Sequence, residues 1–230
     1  MQGWNLSRLA IHREGWRFII LFALLTVGAC WLWQPLWLPG TIVTIGCAYF
    51  FRDPPRVPPP RPGLVLSPGD GTVVAIANEM PRPEFGFGDR PLTRISIFLS
   101  VFNVHINRAS VAGVIESQVY RPGLFVNAGF DKASLDNECN ALCIRTAEGY
   151  KVGVVQIAGL IARRIITWVK PGQTIGAGER YGLIRFGSRM DIYLPPGCVP
   201  MVVVGQTMVG GETVLAELAS ADAAMRGGVQ

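Results

Sequence analysis

Residues 93–101 read Thr-Arg-Ile-Ser-Ile-Phe-Leu-Ser-Val. The run is short and β-branched, and no helical period passes through it, so it reads as a strand. Similar runs recur at short spacing on both sides of it: Thr-Val-Val-Ala-Ile-Ala at 72–77, Ala-Leu-Cys-Ile-Arg-Thr at 141–146 and Lys-Val-Gly-Val-Val-Gln-Ile-Ala at 151–158. Met-Asp-Ile-Tyr-Leu-Pro at 190–195 and Val-Pro-Met-Val-Val-Val-Gly at 199–205 continue the series. Glycine and proline punctuate all of them. From Leu64 onward the chain therefore reads as a mainly β domain, an antiparallel sandwich or barrel. Residues 158–168 fit either a strand or a short helix, and the tail from Ala219 reads as frayed.

Upstream the texture changes. Residues 18–33 form an uncharged apolar run, and after Gln34-Pro35 a second covers 36–51. Each is shorter than the roughly 20 residues of a spanning helix. Pro35 and Pro39-Gly40 break the stretch into two pieces. A helical hairpin that dips into or just crosses a bilayer is expected over 1–52. Arg8, Arg13 and Arg17 precede it, and Arg52, Arg56 and Arg61 follow it, which suits two cytoplasmic ends. A signal peptide and a buried pair of core helices are the competing readings. The apolar character continues through Trp31-Leu32-Trp33, which favours an anchor. His12 reads as a polar surface residue. The segment 53–63, Asp-Pro-Pro-Arg-Val-Pro-Pro-Pro-Arg-Pro-Gly, is a stiff linker.

Composition agrees with a membrane-associated protein of α+β class. Of 230 residues, half are hydrophobic and 16% charged, and mean hydropathy is +0.33. A net charge of +5 suits anionic lipid headgroups. The lysines are only Lys132, Lys151 and Lys170, with no basic arm, so nucleic acid is not an expected partner. Five cysteines, an odd number, argue against a disulfide framework. Cys139 and Cys143 have a metal-like spacing, but His12 and His105 are the only histidines, so no metal is expected.

Three places carry chemistry. Asp70 lies in the glycine turn Ser67-Pro68-Gly69-Asp70-Gly71 that opens a strand. His105 sits at a strand end within Phe102-Asn103-Val104-His105-Ile106-Asn107-Arg108. The pair Gly187-Ser188 stands in Arg185-Phe186-Gly187-Ser188-Arg189-Met190-Asp191, between two strand-like runs. A serine hydroxyl is a weak nucleophile until a base takes its proton. Imidazole titrates near neutrality and suits that task, and a carboxylate behind it fixes its tautomer. The carbonyl nearest to Ser188 is that of Gly187, where the lack of a Cβ permits strained backbone.

Together these segments resemble the phosphatidylserine decarboxylase family in its short form. The likeness runs from Phe50-Phe51-Arg52-Asp53-Pro54 through the Asp70 turn and the His105 segment. It continues in Gln156-Ile157-Ala158-Gly159, Ala162-Arg163-Arg164-Ile165 and Gly172-Gln173, and closes on Phe186-Gly187-Ser188-Arg189 with Asp191. The cleavage segment departs from the Leu-Gly-Ser-Thr of the long forms, but the scissile pair is intact.

The resemblance implies self-cleavage between Gly187 and Ser188 into a large subunit, 1–187, and a small one, 188–230. Ser188 would become a covalent pyruvoyl group, the cofactor, with Ser188, His105 and Asp70 as catalytic residues. Phosphatidylserine would bind through a Schiff base and leave as phosphatidylethanolamine, with His105 or a water returning the proton to Cα. The catalytic domain would span 64–230 and work at the cytoplasmic face of the inner membrane as a peripheral or monotopic protein. The two subunits would stay paired, and association of such pairs into a homo-oligomer is left open.

Arg163 and Arg164 are candidates for the phosphate, though adjacent strand residues face opposite ways. A biotinyl-type carrier is the competing function, suggested by Val169-Lys170-Pro171-Gly172, but no lysine follows Lys170. A lipid-directed serine hydrolase would use the same triad in an uncut chain.

Overall fold

A computed structural model of the chain describes residues 10–123, 137–159, 164–185 and 187–218. It divides into two compact units, one of Met1–Pro55 with Phe102–Val104, the other of Arg56–Val101 with His105–Gln230.

The first unit is the helical hairpin. Helix α1 spans Arg13–Leu32 and α2 spans Trp37–Phe50, joined by a 3-10 turn over Gln34–Leu36. Pro35 lies at the start of that turn, where its missing N–H removes no bond. Pro39-Gly40 does not interrupt the second piece. It falls in the first turn of α2, whose amides have no helical acceptor. There an added Cβ at residue 40 would come within 2.5 Å of Thr26 Oγ1, so glycine lets the two helices approach. His12 is more than a surface residue: its Nδ1 accepts the Glu14 N–H at 3.3 Å and caps α1. The open end is closed by the His12 N–H on Phe51 O (2.9 Å) and the Phe18–Phe51 stack.

Helix α1 starts upstream of the apolar run that announces it. It has 20 residues, and an 18-residue stretch of it has a mean hydropathy of 1.8, long and apolar enough to cross a membrane by length and composition. Among its described residues only Gly15 is buried, while Leu24 and Trp31 are 66% and 89% exposed. Helix α2, with 14 residues, is too short to do the same.

The second unit is β throughout. Its strands in chain order are β1 (Leu64–Leu66), β2 (Gly71–Glu79), β3 (Leu92–Leu99), β4 (Ile106–Arg108), β5 (Gly113–Arg121), β6 (Cys139–Arg145) and β7 (Lys151–Ala158). Then come β8 (Ile165–Thr167), β9 (Thr174–Ile175), β10 (Arg180–Ile184), β11 (Ser188–Tyr193), β12 (Thr207–Met208) and β13 (Val214–Glu217). A curled antiparallel sheet of eight strands has the order β12-β2-β3-β11-β7-β6-β5-β9. Two small sheets, β1-β13 and β4-β10-β8, share its main core.

Within residues 158–168 the structure resolves the ambiguity at Ile165–Thr167, which is strand. The run at 199–205 differs from its sequence texture. It forms no regular strand, only an isolated bridge between Pro200 and Ala216, and Val199, Met201, Val203 and Val204 are exposed.

Strand β11 is central. All six of its residues pair with β3 on one side and β7 on the other. Alternation sends Met190 and Ile192 into the main core and Tyr193 into a second apolar cluster on the opposite face. Arg189 and Asp191 share that opposite face. Arg189 is 1% exposed, and its Nε and Nη2 donate to Asp191 at 2.6 and 2.9 Å. Arg94 adds Nη1 to the same carboxylate at 3.4 Å. Asp191→Asn removes a buried carboxylate charge from two buried guanidiniums and should cost about 3–5 kcal/mol, read as a lower urea midpoint at unchanged slope.

Candidate active site

The chain turns between β10 and β11, and Gly187 occupies that turn with φ +69°. An added Cβ would meet nothing within 4 Å. Space does not demand glycine there, but the left-handed backbone does. Ser188 follows as the first residue of β11, fully buried, and its Oγ has no hydrogen-bond partner. Burying an unpaired hydroxyl costs on the order of 1–3 kcal/mol, so its persistence asks for a chemical reason.

His105 lies immediately before β4 and is also fully buried. Its Nε2 accepts the Gly187 N–H at 3.3 Å. A neutral imidazole that accepts at Nε2 carries its proton on Nδ1, so the nitrogen facing the Gly187–Ser188 junction holds a lone pair. The Gly187 carbonyl oxygen accepts the Gly159 N–H at 3.2 Å. The junction thus has an imidazole nitrogen on one side of its glycine and an amide donor on the carbonyl.

Asp70 stands directly before β2 in the expected turn. Its Oδ1 accepts the Gly210 N–H and its Oδ2 accepts from Arg56, both at 2.7 Å. The turn also meets β4, since the Arg108 N–H donates to Pro68 O at 2.8 Å. The structure therefore brings His105 onto the Gly187 N–H, and ties Asp70 to Arg56 and Gly210.

Beyond His105 lies a buried chain of amides that sequence reasoning missed. Gln156 Nε2 donates to Asn107 Oδ1 (2.7 Å), Asn140 Nδ2 to Gln156 Oε1 (2.8 Å), and Gln118 Nε2 to Asn140 Oδ1 (3.1 Å). Asn107 also donates to Met190 Sδ at 3.1 Å. Asn107 thereby ties β4 to the large sheet. No spacing could signal this, because the four residues come from four strands. Arg163 lies outside the described residues.

Cys139 and Cys143 are buried free thiols. Burial, with a smaller push from Glu116, raises the Cys143 thiol to about 11, and burial raises Cys139. Neither suits metal binding, which needs the thiolate, and no cluster of three metal-ligating side chains occurs among the described residues.

A buried serine follows a left-handed glycine whose N–H rests on an imidazole nitrogen, so the residue types that an intramolecular acyl transfer uses stand together. The comparisons with known proteins give that chemistry a family. Residues 43–216 match the family model described as phosphatidylserine decarboxylase. A phosphatidylserine decarboxylase proenzyme from Cereibacter sphaeroides is 52% identical over 217 residues, covering 94% of this chain and 94% of the relative. The chain belongs to the phosphatidylserine decarboxylase family, and so to the carboxy-lyases.

Proposed function

We propose that the chain cuts itself between Gly187 and Ser188, converts Ser188 to a pyruvoyl group, and decarboxylates phosphatidylserine to phosphatidylethanolamine at a membrane surface. The observation that carries this reading is the unpartnered, buried Ser188 Oγ next to Gly187, whose N–H rests on His105 Nε2.

The chain's own groups supply each step of the cut. His105 Nε2 takes the Ser188 hydroxyl proton, and Oγ adds to the Gly187 carbonyl carbon. The C–N bond breaks, His105 returns the proton to the Ser188 nitrogen, and an ester joins Gly187 to Ser188 Oγ. Loss of the Ser188 Cα proton then expels the Gly187 carboxylate and leaves a dehydroalanine at 188. Water adds and ammonia departs, which leaves a keto group at the start of β11.

The residues fit such a group. Position 188 is fully enclosed, so bulk water is kept from a reactive ketone. A pyruvoyl group at position 188 would supply a ketone for the substrate amine and an electron sink for loss of carbon dioxide. His105 is placed to return a proton to the substrate carbon. Asp70 is proposed to steady the imidazole. A carboxylate has about four acceptor sites, so its bonds to Arg56 and Gly210 leave capacity for another donor.

The substrate is a two-chain lipid, and the exposed apolar surface of α1 and α2 gives the chain a means of staying at the bilayer. The arginines flanking the hairpin suit a cytoplasmic, anionic leaflet, with the protein peripheral or monotopic on the inner membrane. The cut pieces stay paired as a large and a small subunit.

Intact mass under denaturing conditions tests the reading. Two fragments are expected, the C-terminal one lighter by one ammonia than a chain starting with serine and closed to N-terminal sequencing. A single mass of 25.0 kDa in active material would overturn it.

A further inference from the structure

The scissile carbonyl has a donor that the family resemblance does not supply. Ser188 pairs with Ala158 across β11 and β7, so the next rung outward joins Gly187 to Gly159. In a regular antiparallel rung of this kind each residue donates to the other. Here only half of it exists. The Gly159 N–H reaches Gly187 O at 3.2 Å, while the Gly187 N–H is turned onto His105 Nε2. The left-handed φ of Gly187 is the cause: it takes the amide out of the ladder and leaves the carbonyl in it. The bond that survives lies on the oxygen that becomes negative when Ser188 attacks.

We propose that the Gly159 N–H is the oxyanion donor of the self-cleavage, a catalytic backbone group in this chain. The proposal rests on the reading that the chain cuts itself. As Ser188 Oγ bonds to the Gly187 carbon, the carbonyl π electrons move onto Gly187 O and the hydroxyl proton passes to His105 Nε2. When the C–N bond breaks, those electrons return to restore the carbonyl of the ester. An amide dipole already aimed at the oxygen stabilises the charge without reorganising, in a site from which water is excluded. The same N–H can stay on that oxygen from amide through adduct to ester.

The test deletes one hydrogen-bond donor. Glycolic acid in place of Gly159, introduced by nonsense suppression in the full chain, exchanges the N–H for an ester oxygen. Cleavage is followed on a denaturing gel across a range of pH. The expected result is a plateau rate lower by about 100-fold or more, with the pH of half-maximal rate unchanged because His105 keeps its place. An unchanged rate overturns the proposal. So does a slower rate with a displaced pH midpoint, which would mean that Gly159 only positions the imidazole.

A second measurement does not depend on that variant folding. In uncut Ser188→Ala chain, a scalar coupling across the hydrogen bond between the Gly159 nitrogen and the Gly187 carbonyl carbon is expected, and its absence overturns the proposal. Should the unaltered chain never cut, the reading of self-cleavage itself fails. A glycolate chain that cuts as fast as the unaltered one refutes only the role of Gly159.

Discussion

Chain carrying Ser188→Ala stays one polypeptide of 25.0 kDa, forms no keto group, and releases no carbon dioxide from phosphatidylserine vesicles. The substitution removes both the attacking oxygen and the only source of the prosthetic group, so no residual pathway is expected. A second readout separates this from misfolding. Ser188 Oγ is buried and unpartnered, so its deletion relieves an unsatisfied polar group instead of breaking a bond. The alanine chain should be at least as stable to urea as uncut native chain, with a gain of about 1 kcal/mol. An alanine chain that still splits between 187 and 188 would remove Ser188 from the chemistry.

The second large effect is that of His105→Ala, which should slow self-cleavage by about 10²- to 10⁴-fold, the usual contribution of a positioned base. The sign of the pH dependence follows from the tautomer. Nε2 must hold a lone pair to take the Ser188 proton, so the native rate falls as pH drops through the imidazole titration and levels off above it. Without the imidazole, hydroxide is the remaining base, and the rate should climb with pH and show no plateau. Time courses on denaturing gels from acid to alkaline pH check both features. A His105→Ala chain that cuts at the native rate would dismiss His105 as the base.

Much of the fold was legible because it rests on local rules. The strands Leu92–Leu99 and Lys151–Ala158 declare themselves by β-branched texture, and the hairpin by two apolar runs around Pro35. Legibility failed where long-range partners decide. Val-Pro-Met-Val-Val-Val-Gly has the composition of a strand, yet over 199–205 its one β-bridge is Pro200 to Ala216, and Val199, Val203 and Val204 are exposed while Val202 is buried. Gly113–Arg121 is a nine-residue strand whose glutamate, serine and glutamine hide its pattern.

At the site, residue types pointed to His105 and Gly187-Ser188, and the structure joins His105 to Gly187 through the Gly187 N–H. The half-made rung at Gly159 was invisible. It is a backbone donor, and only the register of β7 against β11 brings it to the carbonyl. The partners of Asp70 were equally hidden, since Gly210 lies 140 positions away in the chain.

The place of β11 bears on how long the working enzyme lasts. In the proposed mature form the small piece begins at an inner strand of the eight, runs to β12 at one edge of the sheet, and continues through β13 beside β1. It is woven into its companion at four ladders, through three of its strands. Folding precedes the cut, so a pair that has once come apart has lost the covalent link that guided the centre strand home. Its lifetime is then set by how slowly it opens and no longer by an equilibrium with an unfolded state. Heating and cooling should restore uncut Ser188→Ala chain and should leave the processed enzyme permanently dead.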